Sequence, residues 1–159
     1  MAHGPAKNKD GGTKMLLQNR KARHDYHVED TLEAGIVLVG SEVKSLREGR
    51  AQLTDAYAQA EHGEMMLHQM QISEYPWANR WNHEPKRARK LLLHKKQIDK
   101  LASAVQREGY TLLPLEVYLS SGRVKVLLGL CRGKKQYDKR EDSRERDASR
   151  DVARAMRRG

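Results

Sequence analysis

Apolar and polar positions alternate most regularly toward the C-terminal third of the chain. Leu115, Val117 and Leu119 alternate up to Ser121-Gly122, and Val124, Val126, Leu128 and Leu130 alternate beyond it. A period of two on both sides of a two-residue turn predicts a β-hairpin. A second hairpin is predicted for Asp55–Ala60 and Glu64–Ile72 around the turn Glu61-His62-Gly63. Met66, His68, Met70 and Ile72 fall on one of its faces, with Met65 and Leu67 on the other. Earlier, His24–Glu29 alternates weakly as a first strand, Thr31–Gly35 reads as a turn, and the β-branched run Ile36–Val39 reads as a buried second strand. Ser41 is placed to cap a short helix over Glu42–Glu48, with Glu42 in its first turn and Gly49 as its stop. Ile98, Leu101, Ala102 and Val105 recur at i, i+3, i+4 and i+7, the apolar face of a helix that ends at Gly109. The segment Tyr75–Asn82 has no period and is predicted as a loop. About six strands with two or three helices make a mostly β, α+β chain built on an antiparallel sheet. Strands this short predict a closed or nearly closed barrel.

The pattern also divides the chain. Residues 1–18, rich in Gly, Lys and Asn up to Thr13, are expected to be a disordered basic lead-in. Residues 19–131 hold the apolar alternation and form the domain. From Arg132 onward large apolar residues nearly vanish, leaving a thin stripe of Ala148, Val152, Ala155 and Met156 at i, i+4, i+7 and i+8. A helix so poor in apolar surface is marginal alone in water. Residues 132–159 are therefore expected to be a basic tail, disordered when free and helical on a partner, with Val152 and Met156 on its buried stripe.

Charge changes this picture from a fold to a function class. Lys and Arg total 31 against 21 Asp and Glu, a net charge of +10. Residues 1–23 carry six cations and one anion, residues 132–159 eleven and six, and the centre 24–131 fourteen of each. Within that neutral centre, residues 80–100 hold eight cations and two anions. There Lys86, Arg87, Arg89, Lys90, Lys95 and Lys96 surround Leu91-Leu92-Leu93, a triplet suited to a buried segment or to the start of a helix. Such a band is either a solvated charge run or a polyanion-binding surface. Basic arms at both ends favour the second reading, because phosphate backbones bind such surfaces through counterion release. An anionic membrane fits less well, since neither arm has a Trp/Phe/Leu-rich face. No apolar run reaches membrane length and the N-terminus lacks a signal-peptide core, so a cytoplasmic chain is expected.

Candidate chemistry is sparse. Cys131, beside Leu128 and Leu130, reads as a buried core residue, and one cysteine excludes a disulfide framework. Gly129–Lys135 has three residues between its glycines, and Lys135 stands where a phosphate loop needs Ser or Thr. His24 and His27 would point to opposite faces of a strand and so do not make a metal pair. His83 and His94 are open to either an RNA-contacting or a structural role. No triad, paired carboxylates or dinucleotide fingerprint can be assembled, so neither cofactor nor metal is expected. A metal-dependent nuclease would need clustered carboxylates that the sequence does not offer.

Three blocks carry a resemblance. They run from Asn19-Arg20-Lys21-Ala22-Arg23-His24 through Glu33-Ala34-Gly35 to Gly40-Ser41-Glu42-Val43-Lys44-Ser45-Leu46-Arg47; then Arg89-Lys90-Leu91-Leu92-Leu93-His94-Lys95; then Arg132-Gly133-Lys134-Lys135 to Asp138-Lys139-Arg140. Together they closely resemble the bacterial small protein B family, the tmRNA-binding (SsrA-binding) proteins of trans-translation, from about Asn19 to the C-terminus. The resemblance implies an oligonucleotide-binding (OB-fold-like) barrel that holds the tRNA-like domain of tmRNA and carries it to the empty A site of a stalled ribosome, with no covalent chemistry of its own. It implies tmRNA contacts at Glu33, Leu92 and Lys125, and the basic residues Lys44, Arg89 and Lys90 are expected to join them in binding the RNA. It assigns Gly133, Lys134, Lys135, Tyr137, Asp138, Lys139 and Arg140 to the ribosomal decoding centre, with the tail in the mRNA channel. The implied partners are tmRNA and the ribosome, with the protein itself monomeric. Two departures stand out: Cys131 where alanine is more usual, and the small Ala155 before Met156. A rival of another class is a basic structural protein bound permanently to ribosomal RNA.

Overall fold

The computed structural model describes residues 13–78 and 82–134. In chain order the elements are β1 (Thr13–Gln18), α1 (Arg20–Asp25), β2 (Tyr26–Ile36), α2 (Gly40–Arg47), β3 (Ala51–Gln52) and β4 (Tyr57–Glu61). Then come β5 (Glu64–His68), β6 (Gln71–Ile72), β7 (Arg89–Leu92), α3 (Lys95–Glu108), β8 (Thr111–Ser120) and β9 (Arg123–Gly133). The main sheet runs β1-β8-β4-β5-β7-β2-β9, and β8 also pairs with β9. Six antiparallel strands thus close a ring, with β1 added outside it, while β3 and β6 pair separately. This is the mostly β architecture expected from the alternation.

Strength is uneven around the ring. The β2–β9 and β8–β9 ladders run nearly the full length of their strands. By contrast β2 meets β7 only at Gly35–Leu92 and Ile36–Leu91, and β4 meets β8 only at Ala58–Leu112. The interior is filled by residues such as Ile36, Met65, Leu67, Leu91, Val117, Val126 and Leu128, with Leu46 of α2 and Ile98 of α3 packed against them. A smaller cluster of Leu113, Leu115, Tyr118, Leu127 and Cys131 lies with Ala22 of α1 on another face.

Two bulges explain how one sheet serves both clusters. The β8–β9 register shifts between Pro114 and Glu116, and the β2–β9 register shifts between Val28 and Asp30. An extra residue reverses which parity faces inward. Leu112 and Val117 therefore both belong to the interior, and Leu115 joins the outer cluster although the sequence aligns it with Val117. Pro114, which has no N–H to donate, sits at the bulge, where its carbonyl accepts from Asn19 Nδ2 at 2.9 Å. Gly129 faces Leu115 so closely that an added Cβ would lie 2.7 Å from Leu115 Cδ1.

Local signals placed several elements as expected. His62 and Gly63 (φ 51° and 78°), and Ser121 and Gly122 (φ 52° and 80°), form the two tight hairpin turns. Gly49 (φ 73°) and Gly109 (φ 72°) follow the ends of α2 and α3 in the left-handed region. Other expectations need correction. Residues 13–18, assigned to the lead-in, form β1. The expected turn at Thr31–Gly35 is the body of β2, which replaces the two strands expected there. Gly35 signals close approach rather than a turn, since an added Cβ would lie 3.3 Å from both Cβ and Cδ1 of Leu92. Ser41 is buried inside α2 rather than capping it; the N-cap position is Val39, whose N–H donates to Glu42 Oε1 at 2.9 Å. Gln69 (φ 64°) breaks the second hairpin, so Met70 and Ile72 are buried while Met66 and His68 are only half-buried.

Candidate nucleic-acid interface

One rung of the sheet carries two of the expected RNA contacts, Leu92 and Lys125. Leu92 on β7 pairs with Gly35 on β2, Gly35 with Lys125 on β9, and Lys125 with Tyr118 on β8. Paired positions share a face, and here it is the outer one, because Ala34, Leu91 and Val126 beside them fill the interior. Leu92 is 52% exposed, a large apolar side chain held over the bare backbone of Gly35. Lys125 is half-buried and makes no ion pair among the described residues. Glu33, two residues before Gly35, accepts a hydrogen bond from the Tyr118 hydroxyl on Oε2. Burial, and then the bond to Glu33, hold the Tyr118 phenol well above its usual range, so it stays a donor. A shallow recess bounded by Gly35, Leu38, Val43, Leu92, Arg123 and Lys125 completes the surface.

These three groups differ in what they can bind: an ammonium without an ion pair suits phosphate, a carboxylate suits a hydroxyl or amine donor, and an exposed leucine suits an apolar face such as a base or sugar. Lys90, two residues before Leu92, is exposed on the same side and pairs with Glu64 at 2.9 Å. A surface pair of this kind contributes at most about 1 kcal/mol and is readily exchanged for phosphate. Lys44 is exposed on α2 and lies 5.6 Å from the centre of the Tyr75 ring.

Arg89 is a correction. Its side chain is fully buried, with Nε donating to Glu42 Oε2 at 2.6 Å, Nη1 to the Met70 and Arg87 carbonyls at 2.7 and 3.1 Å, and Nη2 to the Pro85 carbonyl at 3.0 Å. A phosphate could reach this guanidinium only by dismantling the network. On β7 the residues alternate buried and exposed from Arg89 to Leu92, so the cation inside and the cation outside are consecutive. Arg87 also turns inward, donating through Nε to Glu42 Oε2 at 2.8 Å and through Nη2 to Oε1 at 2.7 Å. Burial by itself would raise the Glu42 pKa. The Arg87 and Val39 hydrogen bonds and the Arg89 charge outweigh it and hold the carboxyl below the usual range. His83 is likewise structural: it is buried, Nε2 donates to the Ile72 carbonyl at 2.8 Å, and Nδ1 accepts from the Ser41 hydroxyl at 2.8 Å. His94 is exposed, and its backbone N–H donates to Gln97 Oε1 at the start of α3.

Three residues of consequence escaped sequence reasoning: Glu42 as the acceptor of two arginines, Tyr118 as the partner of Glu33, and Gly35 as the cradle of Leu92. Glu42 carried a local signal, an acid in a first helical turn, but nothing announced its partners 45 and 47 residues away. Gly133 ends β9 opposite Tyr26, and Lys134 is exposed. Lys135, Tyr137, Asp138, Lys139, Arg140, Val152 and Met156 lie outside the described residues. Among the described residues no three His, Cys, Asp or Glu side chains gather as a metal site, and no helix is long and apolar enough to cross a membrane. Burial pushes the Cys131 thiol up to about 12, so it is no nucleophile at neutral pH. Gly129–Gly133 is strand, which removes the phosphate-loop reading.

The structure is thus a closed antiparallel ring whose outer face carries an exposed apolar side chain, a held carboxylate and a lysine with no ion pair among the described residues. The family model described as "SmpB protein" matches residues 16–158. The SsrA-binding protein of Bacillus cereus (strain ATCC 10987 / NRS 248) is 56% identical over 147 residues, covering 92% of this chain and 95% of that one. The SsrA-binding protein of Staphylococcus aureus (strain Newman) is 56% identical over 152 residues, covering 96% and 97%. A chain in a solved structure described as "tmRNA-SmpB: a journey to the center of the bacterial ribosome" superposes with a TM-score of 0.67 at 48% identity, over 83% of this chain and 94% of that one. This chain belongs to the SmpB family.

Proposed function

We infer that this protein is a non-enzymatic adaptor that binds tmRNA (SsrA RNA) through its tRNA-like domain and brings it to the empty A site of stalled ribosomes for trans-translation. Its relatives are SsrA-binding proteins, and its structural neighbour is described as tmRNA-SmpB in the ribosome. The observation that carries the reading is the rung Leu92–Gly35–Lys125–Tyr118 with Glu33 beside it, on a face the interior does not use. Glu33, Lys90, Leu92 and Lys125 make the tmRNA surface, with Lys44 at its margin; Arg89 supports it from within. Gly133, Lys134, Lys135, Tyr137, Asp138, Lys139 and Arg140, with Val152 and Met156 farther on, face the decoding centre and the mRNA channel. The work is positional, so the adaptor acts in the cytoplasm without covalent chemistry.

The first experiment is to sequence the RNA that co-purifies with the full chain. One abundant structured RNA enriched on stalled ribosomes supports the adaptor, whereas ribosomal RNA bound regardless of stalling rejects it. The second concerns the lysines. Changing Lys90 and Lys125 together to Ala should weaken tmRNA binding and flatten the plot of log affinity against log salt. For every phosphate no longer neutralised, the slope should fall by about 0.7 to 0.9. An unchanged slope would place both lysines away from the RNA.

A further inference from the structure

Beyond the rung, the most exposed large apolar side chain among the described residues is Trp77, at 78%. Its setting is built rather than loose. Tyr75, Pro76, Trp77 and Ala78 form a turn in which the Ala78 N–H donates to the Tyr75 carbonyl at 3.0 Å. Pro76 at the second position fixes φ there. The Asn82 side chain grips the same residue from the far end of the loop: Oδ1 accepts from the Tyr75 N–H at 2.8 Å, and Nδ2 donates to the Tyr75 carbonyl at 2.7 Å. Lys44 of α2 lies over the Tyr75 ring at 5.6 Å, within cation–π range. The Ser73 N–H donates to the Arg50 carbonyl at 2.9 Å, which ties the loop to the chain leaving α2. An indole held open to water on so constrained a turn is not a core residue left outside.

The surroundings say what would cover it. Lys44, Arg47 and Arg50 are exposed and make no ion pair among the described residues, against the exposed anions Glu48 and Glu74. The helix that carries Lys44 also borders the interface, since Val43 within α2 and Leu38 just before it line the recess beside Leu92 and Lys125. An exposed flat aromatic face on a turn held to Lys44 through Tyr75 and to Arg50 through Ser73 suits an unstacked nucleobase, whose phosphates such cations can meet.

We propose that Trp77, presented by the Tyr75–Ala78 turn and backed by Lys44, is a base-stacking platform that extends the tmRNA surface across α2. This rests on the tmRNA-binding reading. Stacking adds affinity without releasing counterions, so Trp77 and Lys125 leave different signatures. With the full chain and the tRNA-like domain of tmRNA, Trp77→Ala should cost about tenfold in affinity, and Trp77→Phe should recover most of it. Thermal stability and the salt slope should stay unchanged. In a Trp81→Phe background, indole emission should be quenched on RNA binding. Wild-type affinity for tmRNA in Trp77→Ala overturns the proposal, even if ribosome binding alone falls, because the platform would then serve the ribosome. Failure of the wild-type chain to bind tmRNA would instead overturn the functional reading.

Discussion

Gly35 lies beneath Leu92 with no side chain of its own, and that bareness lets the leucine stay over the sheet. A Cβ there would lie 3.3 Å from Leu92 Cβ and Cδ1, closer than most such approaches, so the leucine would have to move. Gly35→Ala is expected to lower tmRNA affinity through Leu92 rather than through the fold. In a double-mutant cycle Gly35→Ala and Leu92→Ala should weaken binding together by less than the sum of their separate effects. Additive effects would mean that the cradle does nothing for the anchor. The sequence offered the glycine but not its purpose. Beside Glu33-Ala34 it matched a turn as well as a strand, and only the facing Leu92, far along the chain, decides between them.

At the scale of elements, α2 and β7 are joined by a buried ion cluster. Glu42 accepts from both Arg87 and Arg89, and the carboxylate and the Arg89 guanidinium have no solvent exposure. Breaking a buried pair from one side costs about 3–5 kcal/mol, because the remaining charge keeps its burial without its partner. Glu42→Gln and Arg89→Met should each destabilise the fold by an amount in that range, read from urea unfolding. A cost under about 1 kcal/mol would demote the cluster to a peripheral pairing. The Glu42 pKa is depressed in the fold, so its contribution is complete above the unfolded carboxylate range of about 4.3. It disappears as the pH falls from there through the lower folded value. An acid titration of stability should therefore be shallower in Glu42→Gln than in the parent. Elements whose signals are local were legible: α3 from its period and Gly109, and both hairpins from their turns. Faces were not legible wherever a bulge at Val28–Asp30 or Pro114–Glu116, or the left-handed Gln69, reversed the parity. The alternation of β7 was hidden because Arg89-Lys90-Leu91-Leu92, two cations followed by two leucines, does not alternate in polarity although it alternates in burial.

For the molecule as a whole, Cys131 is the last member of either apolar cluster among the described residues, and the sequence after it is charged and poor in large apolar groups. Ending the chain after Gly133 should leave thermal stability and tmRNA affinity near those of the full protein, with a modest electrostatic decrease. Peptide tagging on stalled ribosomes should collapse, and Val152→Asp with Met156→Asp should reproduce most of that defect. Persistent tagging by the truncated chain would remove the tail from the mechanism. The division rests on composition and charge alone, which need no register or long-range pairing. The ring itself has a consequence of another kind. It consists of two well-knit halves, β4-β5-β7 and β1-β8-β9-β2, joined by two residue pairs at one seam and one at the other. Leu92 belongs to the first half, and Glu33 and Lys125 to the second. Amides along the Gly35–Leu92 seam should be among the first in the ring to exchange with deuterium by sub-global opening. A ligand that grips both banks is stapled across that fault line, so bound tmRNA should slow exchange there by mass action, well beyond its slowing of the unbroken β8–β9 ladder.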